Sequence, residues 1–372
     1  MRRFSALALL ALAVALFAAA AAHGKPLSAA DRAYVDEVVA SQMQEGRLPG
    51  FSISISGPQG DYTNVYGVSN TATSAPFNLS DHVRIASITK TFVATAALRQ
   101  IERGNLAFSD KLSQYIKGVP NGRRITIKQM IAMRSGLYDY TLDPRWSREL
   151  EENPRMKFDW QGVVEILKRH QPEFEPGAKT SYADSNYYLL GAILEKVSGM
   201  SIAKLVTKEV IEPLGLKHTV YPTSAPLPSP FSQGYYAGPE GKGAITDVTL
   251  VNPDIAGAAG AMASTLGDLR KYAKQLGEGA LLSPKMENQR LEFGLLSKSP
   301  QVTLGYGLGI MRVGRWLGHN GAVFGFSTVA MYDPRSGTTV AAAANLSSNF
   351  STPTLEAFLK IAERLYPGSL TR

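Results

Sequence analysis

The segment RIASITK, residues 84–90, decides how the rest of the chain is interpreted. Ser87 and Lys90 stand three residues apart at the predicted start of a helix, so their side chains can meet on one face. A second Ser-x-x-Lys, SIAK at 201–204, has the same spacing. A chain of this length should hold on the order of one such match by chance. The spacing alone leaves two interpretations open: a nucleophile with its proton partner, or an ordinary helix beginning.

The helix predicted after Ser87 favours the first interpretation. Its front part, SITKTFVATAA, is apolar or small on nearly every side, which predicts burial. A lysine buried there is costly unless it is paired or loses its proton, and a neutral Lys90 can accept the proton of a serine hydroxyl. The helix N-terminus would direct N–H groups toward Ser87, where an oxyanion forms. The alternative is that Ser87 caps the helix and Lys90 extends to solvent.

The second match has a simpler explanation. Ser201 follows Gly199, a predicted helix end, and precedes the amphipathic run IAKLVTKEVIEPLG. Lys204 falls off the apolar face of that run. We therefore expect Ser201 to be an N-cap and Lys204 to be solvated.

The order of predicted elements indicates an α+β fold. A helix at 28–46 and strands at 51–56 and 62–68 begin the chain. Strand patterns return at 302–314, 315–321, 324–334 and 337–346, and a helix follows at 352–366. We predict one antiparallel sheet built from the N- and C-terminal segments, flanked by the terminal helices, with a helical region inserted between. The loop-rich stretches 138–160 and 220–256 are expected to line a site or to be mobile.

The first 22 residues read as an export signal. Arg2 and Arg3 precede an apolar run that ends in alanines, so cleavage is expected near Ala22, with a periplasmic or extracellular product. The alternative is an uncleaved membrane anchor. Residues 23–372 are then expected to form a single domain. Its α/β part covers about 28–86 and 300–372 and its mostly helical part about 87–299.

Composition excludes several classes of chemistry. The chain has no cysteine, which removes disulfides, thiolate catalysis and cysteine metal sites. Its five histidines show no metal spacing, so neither a metal nor a cofactor is expected. The net charge of +8 comes without a basic run interleaved with aromatics, so no nucleic-acid partner is expected. The expected partner is a small-molecule or peptide substrate.

Two further segments carry a resemblance to a known family. FEPGAKTSYADSNYYLLG (174–191) puts Tyr182 in a loop entering a helix, and WLGHNGAVFGF (316–326) puts His319 on a strand beside glycines. With these and MRSGL, EPLGL and GAAGAMASTLGDL, the sequence resembles the serine β-lactamase and penicillin-recognising DD-peptidase superfamily, class C and D-alanyl-D-alanine carboxypeptidase-like branch. The resemblance covers nearly all of the chain after residue 22 and implies a β-lactamase/transpeptidase-like fold.

The resemblance implies a role for each matching residue. Ser87 would be the acylated nucleophile and Lys90 its proton partner. Tyr182 would relay protons between Ser87 and the leaving group. The backbone N–H groups of Ser87 and Ala322 would form the oxyanion hole.

The wall strand and the tyrosine motif supply the predicted substrate contacts. His319, Asn320 and Gly321 would form one wall of the site, with the glycine letting the substrate lie along the strand edge. The family's Tyr-x-Asn motif here ends in Asp184, an acceptor where asparagine could donate. Asp184 would favour a protonated Lys90 if the two meet. Otherwise it pairs elsewhere, or it turns away and Asn186 or water takes its place.

These observations predict an exported serine hydrolase that forms an acyl-enzyme on Ser87. The favoured substrate class is the D-alanyl-D-alanine end of cell-wall peptides. An esterase or a class C-like β-lactamase on the same scaffold is the alternative, and Asp184 tilts the choice toward small esters. A non-catalytic penicillin- or cell-wall-binding protein is the third interpretation.

Overall fold

The structure is a computed structural model that describes residues 25–238, 241–348 and 352–371. The predicted export signal, residues 1–22, lies outside the described residues. Within the described ranges, no helix combines the length and the apolar character needed to cross a bilayer.

The α-helices of the described residues are α1 Ala29–Gly46, α2 Thr89–Glu102, α3 Leu112–Tyr115, α4 Ile127–Ile131, α5 Pro144–Glu152, α6 Trp160–Arg169, α7 Asp184–Ser198, α8 Ile202–Val206, α9 Gly257–Gly260, α10 Leu266–Gly277, α11 Pro284–Arg290 and α12 Pro353–Leu365. Short 3₁₀ turns cover Ala86–Ile88, Tyr140–Leu142 and Pro253–Ile255, and a π-helical turn covers Thr207–Ile211.

The strands are β1 Gly50–Ser56, β2 Tyr62–Asn70, β3 Ala75–Pro76, β4 Val83–Arg84, β5 Tyr235–Tyr236, β6 Thr246–Asp247, β7 Ala263–Ser264, β8 Gly294–Lys298, β9 Thr303–Tyr306, β10 Met311–Val313, β11 Trp316–Val323, β12 Phe326–Asp333, β13 Thr338–Ala344 and β14 Leu346–Ser347.

One antiparallel sheet joins the two ends of the chain. Its nine strands run in the order β3-β2-β1-β13-β12-β11-β10-β9-β8, and Phe51 of β1 lies opposite Ala344 of β13. The terminal helices α1 and α12 pack against each other and against the sheet, and α10 packs on β1, β11, β12 and β13. The predicted α+β class, with the sheet built from both termini, is confirmed.

The central strands are buried along their whole length. Every residue of β12 and β13 is buried, because helices cover the sheet. Such strands read as continuous apolar or small runs without strict alternation, as TTVAAAA in β13 does. This burial fixes the position of β11, the next strand, which carries the predicted wall of the site.

Several local predictions from the sequence agree with the structure, and others differ from it in the type or the boundaries of an element. Ser28 caps α1, and Thr126 and Gln129 form the predicted capping box of α4. Ser201 caps α8 and Lys204 is exposed, as expected for the discounted Ser-x-x-Lys. The stretch 138–160, predicted as loop, contains α5 because Asp143 accepts from the N–H groups of its first turn. The sheet also includes β8, which begins at Gly294, ahead of the predicted boundary at residue 300.

Candidate active site

Ser87 sits in a tight turn between strand β4 and helix α2. The turn is a 3₁₀ segment, Ala86–Ile88, and α2 begins at Thr89, two residues later than the sequence predicts. Ala86 adopts φ 49°, a left-handed conformation that costs a non-glycine residue on the order of 1–2 kcal/mol. Ala86 and Ile88 are buried while Ser87 is partly exposed, so the turn presents the serine side chain. Ser87 makes no side-chain capping bond, which excludes the capping alternative.

Lys90 is buried and fully paired. Its side chain is 0% exposed, so it does not extend to solvent. Nζ lies 2.9 Å from the Oγ of Ser87, 2.7 Å from the carbonyl oxygen of Ala259, and 2.5 Å from an Asp184 carboxylate oxygen. Three acceptors surround the three protons of an ammonium group. This arrangement suits an ammonium group, because each of its three N–H bonds can be matched by one oxygen atom.

Asp184 is the partner of Lys90. It begins α7, where the positive end of the helix dipole favours a carboxylate. Of the alternatives for this position, pairing with Lys90 is the one observed. Asn186 does not take over the role, because it is 1% exposed and its amide contacts the Ala183 carbonyl oxygen and the Met133 sulfur.

Asp139 is a second carboxyl group at this end of α7, and sequence reasoning missed it. One of its oxygens accepts from the backbone N–H of Asp184 at 3.1 Å. The other accepts from the N–H and the hydroxyl of Thr141 at 3.0 and 2.9 Å. Burial, and then the charge of Asp184, raise the pKa of Asp139 to about 7. The only sequence signal was its place in a loop-rich stretch.

Tyr182 lies beside the Ser87–Lys90 pair. The Nζ of Lys90 is 5.0 Å from the centre of its ring. Its hydroxyl is buried and makes no aligned hydrogen bond among the described residues. Burial raises the pKa of Tyr182 well above its usual value, the charge of Asp184 adds to this, and the nearby Ser87 hydroxyl opposes it. Tyr182 is therefore a neutral phenol with a free oxygen next to the nucleophile.

His319 is a buried, neutral residue behind the site. It is 1% exposed, and burial followed by the charge of Lys90 lowers its pKa to about 3. Its Nδ1 faces the carbonyl oxygen of Asn320, which can only accept, so Nδ1 carries the proton. Nε2 then accepts from the Tyr306 hydroxyl at 3.2 Å. Both ring nitrogens are satisfied by protein, and His319 does not line the cavity.

Gly321 is required by packing between the sheet and the turn that carries Ser87. A Cβ at this position would lie 2.5 Å from the carbonyl oxygen of Ile85 and 2.8 Å from the Cβ of Ala86. Neither Asn320 nor Gly321 is among the residues that line the cavity. Ala322, the next residue, does line it, together with Ser87. The predicted oxyanion pair therefore lines one cavity, whereas Asn320 and Gly321, like Lys90 and Tyr182, do not line it.

A cavity of about 280 Å³ opens over Ser87. Both loop-rich stretches contribute to it, through Trp146 and Leu142 from 138–160 and through Tyr236 and Ile255 from 220–256. Most of the lining is apolar or aromatic. The ionisable lining groups of the described residues are acidic, Asp184 and Glu151, together with the phenols of Tyr140 and Tyr236. Among the described residues, no group of three or more histidine or acidic side chains is placed to hold a metal ion.

Comparison with known families agrees with this geometry. The sequence model of the Beta-lactamase family matches residues 35–362. The chain therefore belongs to the β-lactamase family, and it is a serine hydrolase of that fold.

The similar proteins and solved structures indicate a class of hydrolase but do not identify the substrate of this chain. A protein of Escherichia coli (strain K12) named "Putative D-alanyl-D-alanine carboxypeptidase" is 31% identical over 177 residues, 46% of this chain and 40% of that protein. The chain thus spans less than half the length of the curated relatives it matches. A D-stereospecific amidohydrolase from Streptomyces sp. superposes with a TM-score of 0.78 at 29% identity, covering 92% of this chain and 99% of that one. A D-amino acid amidase from Ochrobactrum anthropi SV3, complexed with L-phenylalanine amide, shares the fold with a TM-score of 0.76 at 22% identity and coverages of 91% and 99%.

Proposed function

We propose that the chain hydrolyses neutral acyl donors, esters and amides with an apolar acyl group, through an acyl-enzyme on Ser87. Ser87 Oγ attacks the carbonyl carbon, and the backbone N–H groups of Ser87 and Ala322 stabilise the oxyanion. Tyr182, whose oxygen is free beside Ser87, passes a proton to the leaving group. Water then releases the acyl group.

The charged side chains that line the cavity are the main support for this choice of substrate. Among the described residues that line it, no lysine or arginine is present, whereas Asp184 and Glu151 both are. A peptide with a free C-terminal carboxylate would bring a further negative charge near Glu151, and Lys90, the cation beside Ser87, is already paired with Asp184. His319 does not supply another cation, because its pKa of about 3 keeps it neutral. A neutral leaving group avoids this penalty.

The apolar lining supports the same choice. Trp146, Leu142, Ile255 and Phe324 face the cavity together and can bury an aromatic or aliphatic acyl group. The amidohydrolase and amidase folds among the solved structures are consistent with amide substrates.

The second candidate is the D-alanyl-D-alanine carboxypeptidase that the sequence favours. The curated relatives' names support it, over less than half of their length. Both candidates are expected to act outside the cytoplasm, after cleavage of the signal near Ala22. N-terminal sequencing of protein recovered from the periplasm or medium tests that expectation.

The testing experiment combines intact mass spectrometry with substrate competition. Residues 23–372 are mixed with benzylpenicillin or a 4-nitrophenyl alkanoate, with Ser87→Ala as the variant and Ser201→Ala as the matched control. We expect an adduct in the protein and in Ser201→Ala, and none in Ser87→Ala. Hydrolysis of phenylalanine amide, in both enantiomers, is then compared with that of an N-acylated D-alanyl-D-alanine.

The two candidates predict opposite rankings. Faster turnover of the ester and the amide supports neutral acyl donors. Faster release of D-alanine from the dipeptide establishes the carboxypeptidase. An adduct that survives in Ser87→Ala excludes both.

A further inference from the structure

The protons of Lys90 set a constraint on the chemistry of Ser87. Nζ contacts Ser87 Oγ, the Ala259 carbonyl oxygen and the Asp184 carboxylate, at 2.9, 2.7 and 2.5 Å. An ammonium group that donates three hydrogen bonds has no lone pair. It cannot accept the proton of Ser87 until it has given one of its own away.

Only one of the three acceptors can keep such a proton. The Ser87 hydroxyl is the group to be deprotonated, and the Ala259 oxygen belongs to a peptide carbonyl. Asp184 is a carboxylate with about a fifth of its side chain exposed, at 22%. We propose that Asp184 is the terminal proton acceptor of a relay that runs from Ser87 through Lys90. The proposal rests on the acyl-enzyme proposed for Ser87.

The step balances without any further reactant. The O–H bond of Ser87 breaks, and its electron pair forms the bond from Oγ to the substrate carbonyl carbon. The proton goes to Nζ of Lys90 as one ammonium proton passes to Asp184, so Lys90 stays cationic and Asp184 becomes neutral. When the tetrahedral intermediate collapses, Tyr182 gives its proton to the leaving oxygen or nitrogen, and the proton held by Asp184 returns through Lys90 to Tyr182. Water repeats the cycle during deacylation.

Asp139 is the positioning residue of this relay. It accepts the N–H of Asp184 at 3.1 Å, and Thr141 fixes its other oxygen, so the two carboxyl groups are held near each other. Two neighbouring carboxylates raise each other's affinity for a proton. The raised pKa of Asp139, about 7, is consistent with this coupling. Asp139 therefore fixes the backbone of Asp184 and holds a second carboxyl group beside the proposed proton acceptor.

The other groups that face Asp184 do not titrate in the same range. Lys90 faces it from α2 as its ion-pair partner. Burial, together with the charge of Asp184, raises the pKa of three nearby phenols well above the usual value. They belong to Tyr182, Tyr140 and Tyr306. A change in rate between pH 5 and 8 is thus expected to report on Asp139.

The first experiment compares Asp184→Asn with the unmodified protein on a neutral 4-nitrophenyl ester. We expect kcat to fall about 100- to 1000-fold, as for loss of a general base, with KM within about threefold. A residue that bound the substrate would instead raise KM and leave kcat nearly unchanged. That second pattern, or full activity in Asp184→Asn, overturns the proposal.

The second experiment follows the pH dependence of kcat/KM in Asp139→Asn. Because Asp139 takes up a proton as pH falls through about 7, Asp139→Asn removes that titration from the site. We expect the acid limb to move down by about one pH unit, so that relative activity at pH 5.5 rises about tenfold. The matched control is Asp143→Asn, whose carboxylate contacts Arg169 and His170 and not Lys90. The acid limb of the kcat/KM profile of Asp143→Asn should lie at the same pH as that of the unmodified protein. If the acid limb of Asp139→Asn also lies at that pH, the proposed role of Asp139 is wrong.

Failures of the two proposals are distinguishable. Activity in Ser87→Ala refutes the acyl-enzyme itself. An inactive Ser87→Ala beside a fully active Asp184→Asn refutes only the relay. Thermal unfolding shows whether each variant is folded. If Asp184→Asn is not, Asp184→Glu, which keeps a carboxylate, must retain more kcat than Asp184→Ala or the relay is wrong.

Discussion

The two walls beside Ser87 differ in how they use polar groups. The sheet wall, made of Tyr306 and His319, is buried, neutral and satisfied by internal hydrogen bonds. The helix wall, made of Lys90, Asp184 and Asp139, carries the charges. Under the proposed mechanism the helix wall performs the chemistry and the sheet wall fixes its position.

Packing explains why the division takes this form. The strand β11 lies inside a nine-stranded sheet, between β10 and β12, so its backbone has little freedom. The groups of the helix wall come from the starts of α2 and α7 and the loop before Tyr140, where helix N-termini stabilise carboxylates. A substitution in the helix wall should therefore affect activity and stability differently from a substitution in the sheet wall.

Replacing Lys90 should abolish proton transfer by the helix wall. Lys90→Met fills the buried space but removes the cation between Ser87 and Asp184. We expect kcat/KM for a neutral ester to fall by about 1000-fold or more, because proton transfer from Ser87 is lost. The control is Lys204→Met in the exposed Ser-x-x-Lys, with unchanged activity. A Lys90→Met enzyme within tenfold of the original would remove Lys90 from the mechanism.

Replacing Gly321 should separate the two walls. In Gly321→Ala the new Cβ would lie 2.5 Å from the carbonyl oxygen of Ile85, so the strand and the turn carrying Ser87 must move apart. We expect the free energy of unfolding to drop by about 2 kcal/mol, with a loss of kcat. In the control Gly267→Ala no atom lies within 4 Å of the added carbon, and the helix should gain up to about 1 kcal/mol. Urea unfolding measures both; equal stabilities would contradict the packing argument.

Asp139 should give the helix wall a pH-dependent stability. Its pKa is about 7 in the folded chain against a reference of 3.8. A carboxyl group with a raised pKa stabilises the fold below the reference value, and that contribution is lost as pH rises toward 7. We expect the melting temperature of Asp139→Asn, relative to the unmodified protein, to be higher at pH 8 than at pH 5 by about 2 °C or more. A difference that stays constant with pH would show that Asp139 does not titrate there.

Removing one hydrogen bond from the sheet wall should have the smallest effect. Tyr306→Phe leaves Nε2 of His319 without its donor, while burial keeps the ring neutral. We expect a loss of about 1 kcal/mol in stability and less than about a tenfold change in kcat/KM. Tyr332→Phe, which removes a longer bond of 3.3 Å to Glu278, is the control. A loss of activity as large as that of Lys90→Met would show that the sheet wall takes part in the chemistry.

The sequence predicted more of the fold than of the site. Alternation in 51–56 and the small, apolar run of β13 were sufficient to place strands at both ends, and the capping residues located several helix starts. The meeting of Ser87 and Lys90 followed from their spacing, and the contrast with Ser201 followed from an amphipathic pattern. The sequence did not identify Asp139 as a site residue, because it lies 45 residues from Asp184 and no local pattern links the two.

The sequence by itself determined the terminal helices and strands, their order and the Ser87–Lys90 pair, because periodicity and i,i+3 spacing are local properties. Only the tertiary structure decided the charge states of the site. Lys90 is paired in a buried position because Asp184 and Ala259 converge on it from two other helices. His319 is neutral because the sheet buries it. Burial and long-range charge set proton affinity, and neither is written in the order of residues along the chain.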